Sequence, residues 1–152
     1  MRKIKFRAKQ INDNNWISGY GVIIGNDFCA IPYTVRGNPY DWKLTTITCD
    51  INTLGQYTGL KDKNGKEIYE GDIVEWVFFY ERLSANMGVK ECDTIVKGII
   101  RWKQGGFILE IIENDFENAG YYSISALYTD TESDVEIIGN IHDNPELIKN
   151  EK

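Results

Sequence analysis

Alternating apolar and basic positions open the chain. Residues 2–9 place Ile4, Phe6 and Ala8 at every second position. Because successive side chains of a strand point to opposite faces, this alternation predicts a half-buried β-strand. Its outer face would carry four basic residues, Lys3, Lys5, Arg7 and Lys9.

The centre of the chain combines turn residues with its most apolar run. Residues 73–80 (IVEWVFFY) are apolar except at Glu75, which predicts a strand covered on both faces, inside a barrel or between two layers. Before this run, Asn64 and Gly65 predict a tight primed turn with φ > 0 at both residues, projecting into water among charged neighbours. Residues 70–72 (EGD) predict a second turn.

Much of the remaining chain also has the pattern of short strands joined by turns. Pro32 falls inside one of them, and because proline cannot donate to a ladder, we expect that strand at a sheet edge. Residues 81–93 are polar and weakly patterned, which predicts a long loop or flap whose order the pattern does not decide. Residues 121–128 fit a strand or a short turn equally. The other predicted strands are residues 16–24, 28–35, 44–51, 94–103, 107–112 and 135–141.

A short helix is predicted near the C-terminus. Asn144 can cap it, Pro145 suits the first helical position, and Glu146 is favoured near the N-terminal end of the helix dipole. A helix of one or two turns is not stable alone, so we expect it to dock through Leu147 and Ile148.

Composition and charge narrow the class of protein. The 152 residues predict one domain, or one domain with an elaborated lobe, and 4 Trp, 9 Tyr, 6 Phe and 14 Gly favour strands and tight turns. The net charge of −6 argues against a general nucleic-acid or membrane-surface binder. Because the chain shows neither an apolar signal segment nor a run approaching the roughly 20 apolar residues of a membrane span, we expect a soluble cytoplasmic protein without a membrane partner.

Metal and cofactor sites are not indicated. The cysteines Cys29, Cys49 and Cys92 are odd in number and far apart, and no CxxC or paired His/Cys spacing accompanies them. Aligning Gly65 with the glycine of a calcium-binding EF-hand loop puts Leu60 and Gly71 at ligand positions that require oxygen, so the pattern fails. The sequence therefore predicts no metal, no cofactor and no disulfide framework.

The sequence supports an enzyme less well than a binding protein. His142, beside Asp143, is the only histidine and could do acid–base work, with Ser123, Ser125 or a cysteine joining it through folding. A single histidine at the edge of a C-terminal helix cap is more often a surface residue. We therefore expect no catalytic residues.

Two sets of residues could contact nucleic acid, and each also has a structural interpretation. The basic strand face could bind phosphate or an acidic partner, or it could be a solvated face that discourages strand pairing. Aromatic residues in the predicted strands could stack on bases, but the segments around them are acidic or neutral, so a core role is favoured. These aromatic residues are Tyr57, Tyr69, Trp76, Tyr80 and Trp102.

Three separated motifs carry a family resemblance. Residues 3–8 (KIKFRA), followed by Trp16, come first; residues 56–74 (QYTGLKDKNGKEIYEGDIV), here called the central signature, come second; residues 138–147 (IGNIHDNPEL) close the chain. In this order they resemble the YopX family, small proteins encoded mainly by phages and prophages and without an established biochemical role. The sequence departs from the family pattern at Lys9, where an aromatic-acidic start to the turn is more familiar, and at His142, where tyrosine is common. Residues 10–55 and 81–134 match only loosely.

The resemblance implies a mainly β fold and structural roles for the shared residues. It implies an SH3-like barrel over residues 54–141, an N-terminal β lobe over residues 1–53, and a short helix and tail over residues 142–152. The residues expected to form turns, apolar anchors and a helix cap are Tyr57, Gly59, Asp62, Gly65, Ile68, Tyr69, Gly71, Asp72, Val74, Gly139, Asn140, Asn144 and Pro145.

These observations lead to two hypotheses about function. The first is a non-enzymatic phage or prophage accessory protein that contacts a host protein, a phage protein or a second copy of itself. The alternative is a nucleic-acid module that uses the basic face of Lys3, Lys5, Arg7 and Lys9.

Overall fold

The computed structural model describes residues 3–35, 43–83, 89–113, 121–124 and 134–148. The chain divides into two compact units, Met1–Leu60 and Lys61–Lys152. The described residues are mainly β-strand, which confirms the predicted mainly β fold.

Two small antiparallel arrangements form the first unit. Strands β2, β1 and β6 lie side by side in that order, and β3, β4 and β5 form a three-stranded sheet. A buried cluster of Ala8, Cys29, Ile31 and Cys49 forms a core between these strands. The strands are β1 (Phe6–Lys9), β2 (Trp16–Gly19), β3 (Ile23–Ile24), β4 (Cys29–Val35), β5 (Lys43–Cys49) and β6 (Gly55–Lys61), with a 3₁₀ helix at Ile51–Thr53.

Two expectations for the first unit were wrong. Ile4 is 56% exposed because β1 begins only at Phe6. The strand that contains Pro32 is the central strand of its sheet, not an edge. Proline is tolerated there because the two-residue β3 pairs only with Cys29 and Ala30, so that Pro32 lies beyond this pairing.

A five-stranded antiparallel sheet with the order β11-β10-β9-β8-β12 dominates the second unit. Consecutive residues Ile73 and Val74 at the start of β8 are both fully buried, so β8 is covered on both faces there, as the apolar run predicts. The strands are β7 (Glu67–Tyr69), β8 (Asp72–Leu83), β9 (Val89–Lys103), β10 (Gly106–Glu113), β11 (Tyr121–Ser123) and β12 (Val135–Asn140), with a 3₁₀ helix at Pro145–Ile148.

The predicted loop at residues 81–93 is largely strand. Strands β8 and β9 pair continuously from Ile73↔Ile99 to Leu83↔Val89. Polar side chains do not prevent this, because backbone groups alone make the ladder bonds of a two-stranded ribbon. The pattern of side chains was therefore a poor guide to this segment. Residues 84–88 lie outside the described residues.

The hairpin at Asn64-Gly65 differs from the predicted primed turn. Gly65 has a φ of +79°, whereas Asn64 does not have a positive φ. The Gly65 N–H donates to the Asp62 carbonyl at 2.9 Å, and the Asp62 N–H donates to the Lys66 carbonyl at 2.8 Å. These bonds define a three-residue loop ending in a left-handed glycine, the second common hairpin type. The second predicted turn is present, with Gly71 at a φ of +84°.

The C-terminal helix is shorter and tighter than an α-helix. It is a four-residue 3₁₀ helix, Pro145–Ile148, whose Leu147 N–H donates to the Asn144 carbonyl at 3.1 Å. Within the described part of the chain, no helix has both the length and the apolar character needed to cross a membrane.

Replacing Gly98 by alanine is expected to destabilise the second unit by about 1–3 kcal/mol. A Cβ on Gly98 would lie 2.6 Å from Leu109 Cδ1 and 2.7 Å from the Glu110 carbonyl oxygen, so backbone as well as side chain must shift. Urea unfolding followed by tryptophan fluorescence measures the effect.

The matched control is Gly106→Ala, because a Cβ there meets no atom within 4 Å. The control should stay within about 0.5 kcal/mol of the wild type. Equal destabilisation by both substitutions would contradict the close approach of β9 and β10 at Gly98.

Candidate functional site

Two cations of the basic strand face, Arg7 and Lys9, lie against the aromatic ring of Trp16. Trp16 pairs with Lys9 across β1 and β2. The Arg7 guanidinium carbon lies 4.7 Å from the Trp16 ring centroid, and Lys9 Nζ lies 5.6 Å from it, both within cation–π range.

Exposure differs along this predicted interaction face. Lys3 is exposed, Lys5 and Arg7 are partly buried, and Lys9 is only 7% exposed. The expectation that all four cations form a solvated outer face is therefore wrong at Lys9. Its aliphatic stem is covered while its charge lies beside Trp16.

Asp62 ties the hairpin of the central signature to the last strand. Its Oδ1 accepts hydrogen bonds from the Asn64 and Lys66 N–H groups at 2.9 and 2.8 Å. Its Oδ2 accepts from the Ile137 N–H of β12 at 3.4 Å. The expectation that this turn projects into water is confirmed for residues 63–66, which are exposed, and is wrong for Asp62, which is only 6% exposed.

Asp72 makes a second buried connection to the last strand. Its Oδ2 accepts from the Tyr69 N–H at 2.8 Å, and its Oδ1 accepts from the Asn140 side-chain amide at 3.3 Å. Asp72 is 1% exposed. The adjacent Gly71 donates its N–H to the Ile100 carbonyl at 2.9 Å, so the turn is joined to β9 as well.

Asn140 organises the closing motif. Its side-chain oxygen accepts from the His142 N–H at 3.0 Å, and its own N–H donates to Asn144 Oδ1 at 3.3 Å. Asn144 also bonds to the helix that it was expected to cap, because its carbonyl accepts from the Leu147 N–H at 3.1 Å and its side-chain amide donates to Glu146 Oε1 at 3.2 Å. A Cβ on the adjacent Gly139 would lie 2.8 Å from Leu147 Cδ1 and 2.9 Å from Asn144 Oδ1, so both side chains would have to shift.

The remaining signature residues have structural positions. Gly59 has a φ of +96°, which favours glycine. Pro145 begins the 3₁₀ helix. The apolar and aromatic signature residues buried in the core are Tyr57, Ile68, Tyr69 and Val74.

The aromatic residues divide between core and surface. Tyr57, Tyr69 and Trp76 are buried, as the core interpretation predicts. Trp102 is 48% exposed, so the interpretation is wrong for this residue; its ring meets Phe107 edge-to-face at 4.8 Å. The side chain of Tyr80 lies outside the described residues.

The described residues considered for catalysis lie on separate elements. His142 is partly buried in the turn after β12, and its backbone N–H is bound to Asn140. Ser123 is exposed in β11, and Ser125 lies outside the described residues. Among the residues that the structure describes, no group of three or more His, Cys, Asp or Glu could hold a metal ion.

An open polar cavity of about 330 Å³ lies in the first unit. Its lining includes the carboxylates Asp27 and Asp50, and Asp50 Oδ1 already accepts two hydrogen bonds from Asn52. The engaged oxygen stabilises the start of the 3₁₀ helix at Ile51–Thr53. The other lining residues are Gln10, Ile11 and Asn14.

An exposed apolar strand edge is the feature that the sequence interpretation missed. Ile23 is 52% exposed and Ile24 is 63% exposed, although successive residues of a strand point to opposite faces. Both faces of β3 are therefore largely exposed. Tyr20 and Phe28 on either side are 71% and 43% exposed. These four residues, Tyr20, Ile23, Ile24 and Phe28, are here called the β3 patch.

Glycines flanking β3 could have indicated this edge. Gly21 and Gly25 bound a strand of only two residues. The Phe28 ring lies over Gly25, where a Cβ would be 2.7 Å from Phe28 Cε1. The expected strand over residues 16–24 is thus two strands, and the apolar run at its end is a sheet edge rather than core.

The hydrogen bond between Asp72 and Asn140 predicts that substitutions at these two residues have non-additive effects on the free energy of unfolding. Asp72→Ala leaves a buried N–H and a buried amide without their acceptor, so a loss of about 2–4 kcal/mol of unfolding free energy is expected. Asn140→Ala should also destabilise. Urea unfolding of both single variants and the double variant should give a coupling of at least about 0.5 kcal/mol.

The exposed Asp134 provides the control for this cycle. Asp134→Ala should change stability by less than about 0.5 kcal/mol. Strict additivity of Asp72→Ala and Asn140→Ala would argue against a direct contact between them.

Comparisons with known proteins find similarity over nearly the whole chain. The family described as YopX protein matches residues 5–149. The crystal structure of protein EF1440 from Enterococcus faecalis is similar at 25% sequence identity, with a TM-score of 0.48, over 96% of this chain and 98% of that chain. No curated protein matches this chain.

Proposed function

The chain belongs to the YopX family, whose biochemical role is not established, and we propose that it is a non-enzymatic phage or prophage accessory protein. We propose that it acts through protein–protein contact. The partner is a host or phage protein in the cytoplasm. The observation that carries the proposal is the β3 patch of the first unit.

Exposure on both faces of β3 supports a protein partner. Isoleucine side chains gain roughly 1.5–3 kcal/mol each when they are fully buried, so an uncovered pair is a favourable anchor for another apolar surface. The strand also lies at the edge of its sheet, where backbone groups are open to pairing with another chain.

Charge and packing favour protein contact over the nucleic-acid alternative. A protein that binds nucleic acid through phosphates presents accessible cations, and the net charge of this chain is −6. On the basic face, Arg7 and Lys9 already lie beside Trp16. Fewer cations than the sequence implied are therefore open to phosphate.

We further propose that the sheet of the second unit curls into the SH3-like barrel that the family resemblance implies. Register shifts between Ile111 and Glu113 and between Ile137 and Gly139 support this proposal, because bulges bend strands and increase their twist.

The test of the function compares two isoleucines of similar exposure. Ile24 is 63% exposed in the β3 patch, and Ile95 is 57% exposed on β9 in the second unit. Tagged wild-type, Ile24→Lys and Ile95→Lys proteins are used for quantitative capture from nuclease-treated lysate of a phage-bearing host. Purified partner is then titrated against each protein by calorimetry.

We expect one protein to bind the wild type and Ile95→Lys equally, and to bind Ile24→Lys at least about tenfold more weakly because an anchor is lost. Equal binding by all three proteins would remove the β3 patch from the interface. Unchanged urea unfolding of both variants establishes that the substitutions act on binding alone.

The nucleic-acid alternative has a distinct result in the same experiment. Capture that disappears with nuclease, weakens steeply with salt and is abolished by the paired substitutions Lys5→Glu and Arg7→Glu would replace protein contact with nucleic-acid binding. Sedimentation that depends on concentration in the wild type but not in Ile24→Lys would make a second copy of the chain the partner.

A further inference from the structure

Two cysteines far apart in sequence lie opposite each other in the first unit. Cys29 begins β4, Cys49 ends β5, and the register pairs them directly. Both are fully buried free thiols in the core cluster with Ala8 and Ile31. The sequence spacing did not predict this pairing, because register depends on how the two strands meet.

Neighbouring backbone hydrogen bonds show that Cys29 and Cys49 form a hydrogen-bonded pair of the antiparallel ladder. The Asp50 N–H donates to the Lys9 carbonyl at 2.9 Å, and the Ile11 N–H donates to the Thr48 carbonyl at 3.3 Å. The backbone groups of the residues before and after Cys49 thus point away from β4. Those of Cys49 itself point towards Cys29, because directions alternate along a strand.

This arrangement is compatible with a covalent bond between the sulfurs. Hydrogen-bonded antiparallel pairs have Cα atoms about 5.5 Å apart, inside the range of roughly 4.4–6.8 Å seen for disulfides. Directly opposite side chains lie on the same face of the sheet. Both thiols lie in the same buried cluster, where Cys49 Sγ donates to the Ile47 carbonyl at 3.4 Å. No strand has to change register for the bond to form.

The surroundings hold both thiols in the reduced form under mild conditions. Burial raises the pKa of the Cys29 thiol to about 11, and the neighbouring Cys49 adds to this rise. Burial also raises the pKa of Cys49. Thiolate is therefore scarce at neutral pH, so oxidation is slow and requires a strong oxidant or time.

We infer that Cys29 and Cys49 are a modification site that a peroxide oxidant converts into a cross-strand disulfide, joining β4 to β5. The thiolate of one cysteine attacks a peroxide oxygen; the O–O bond breaks, leaving a sulfenic acid and, after protonation, water. The second sulfur then attacks the sulfenic sulfur, the S–S bond forms, the S–O bond breaks, and a second water leaves. Two thiols lose two electrons and two protons while hydrogen peroxide is reduced to two waters.

The bond would stabilise the strands that support the β3 patch. Cys29 pairs with Ile24 of β3 on its other side, and Cys49 forms an isolated bridge with Gln10. A covalent link between them therefore fixes the centre of the first unit. It also closes the chain between residues 29 and 49, which limits the conformations of the unfolded state.

The experiment uses the full chain with Cys92→Ser, so that Cys29 and Cys49 are the only thiols. Protein is incubated with hydrogen peroxide, remaining thiols are alkylated in denaturant, and peptides are mapped by mass spectrometry without reduction. We expect a peptide pair joined by Cys29 and Cys49. The melting temperature should rise by about 5–10 °C and return after dithiothreitol.

Cys49→Ala in the same background is the control, because it keeps a small apolar residue and leaves one thiol. It should show no reversible shift in melting temperature. The inference would be overturned if both cysteines were recovered as alkylated thiols or as sulfinic acids after oxidant, or if the only disulfides joined two chains. If the Cys49→Ala variant does not fold, peptide mapping of the Cys92→Ser protein alone still tests the inference.

Discussion

The hydrogen bonds of the buried Asp72 carboxylate are the constraint around which the second unit is arranged. The carboxylate accepts hydrogen bonds from the Tyr69 backbone and the Asn140 side chain, and so joins the turn before β8 to the end of β12. Asp62 makes the parallel connection from the hairpin to Ile137. A buried charge is costly unless it is hydrogen-bonded, and here each carboxylate oxygen has a described donor. The central signature and the closing motif are therefore two parts of one structural connection.

This role explains why the most recognisable motifs do not indicate chemistry. Their glycines permit turns or close approaches, their apolar residues are buried, and their aspartates are engaged by backbone and amide donors. Function resides in particular sites carried on a fold rather than in the fold itself. In this chain the β3 patch lies outside the three motifs. We propose that partner recognition resides there.

In the first unit, Ile23 and Ile24 of the β3 patch lie on the same sheet as both buried cysteines. The buried cluster of this unit includes both thiols, beside Ala8 and Ile31. The paired cysteines and the exposed isoleucines are connected through the register of β3, β4 and β5. Stability of the sheet and presentation of its edge therefore depend on the same strands.

The sequence alone determined the mainly β class, the buried strand beginning at Ile73 and the second turn at Gly71, because apolar periodicity and glycine conformation are local properties. Only the tertiary structure decided the burial of Lys9 beside Trp16, the exposure of Ile23 and Ile24, the strand pairing through residues 81–83 and 89–93, and the pairing of Cys29 with Cys49. Each of these depends on which distant strand lies alongside. Strand register is a non-local choice, and a chain's pattern of side chains does not specify its neighbour.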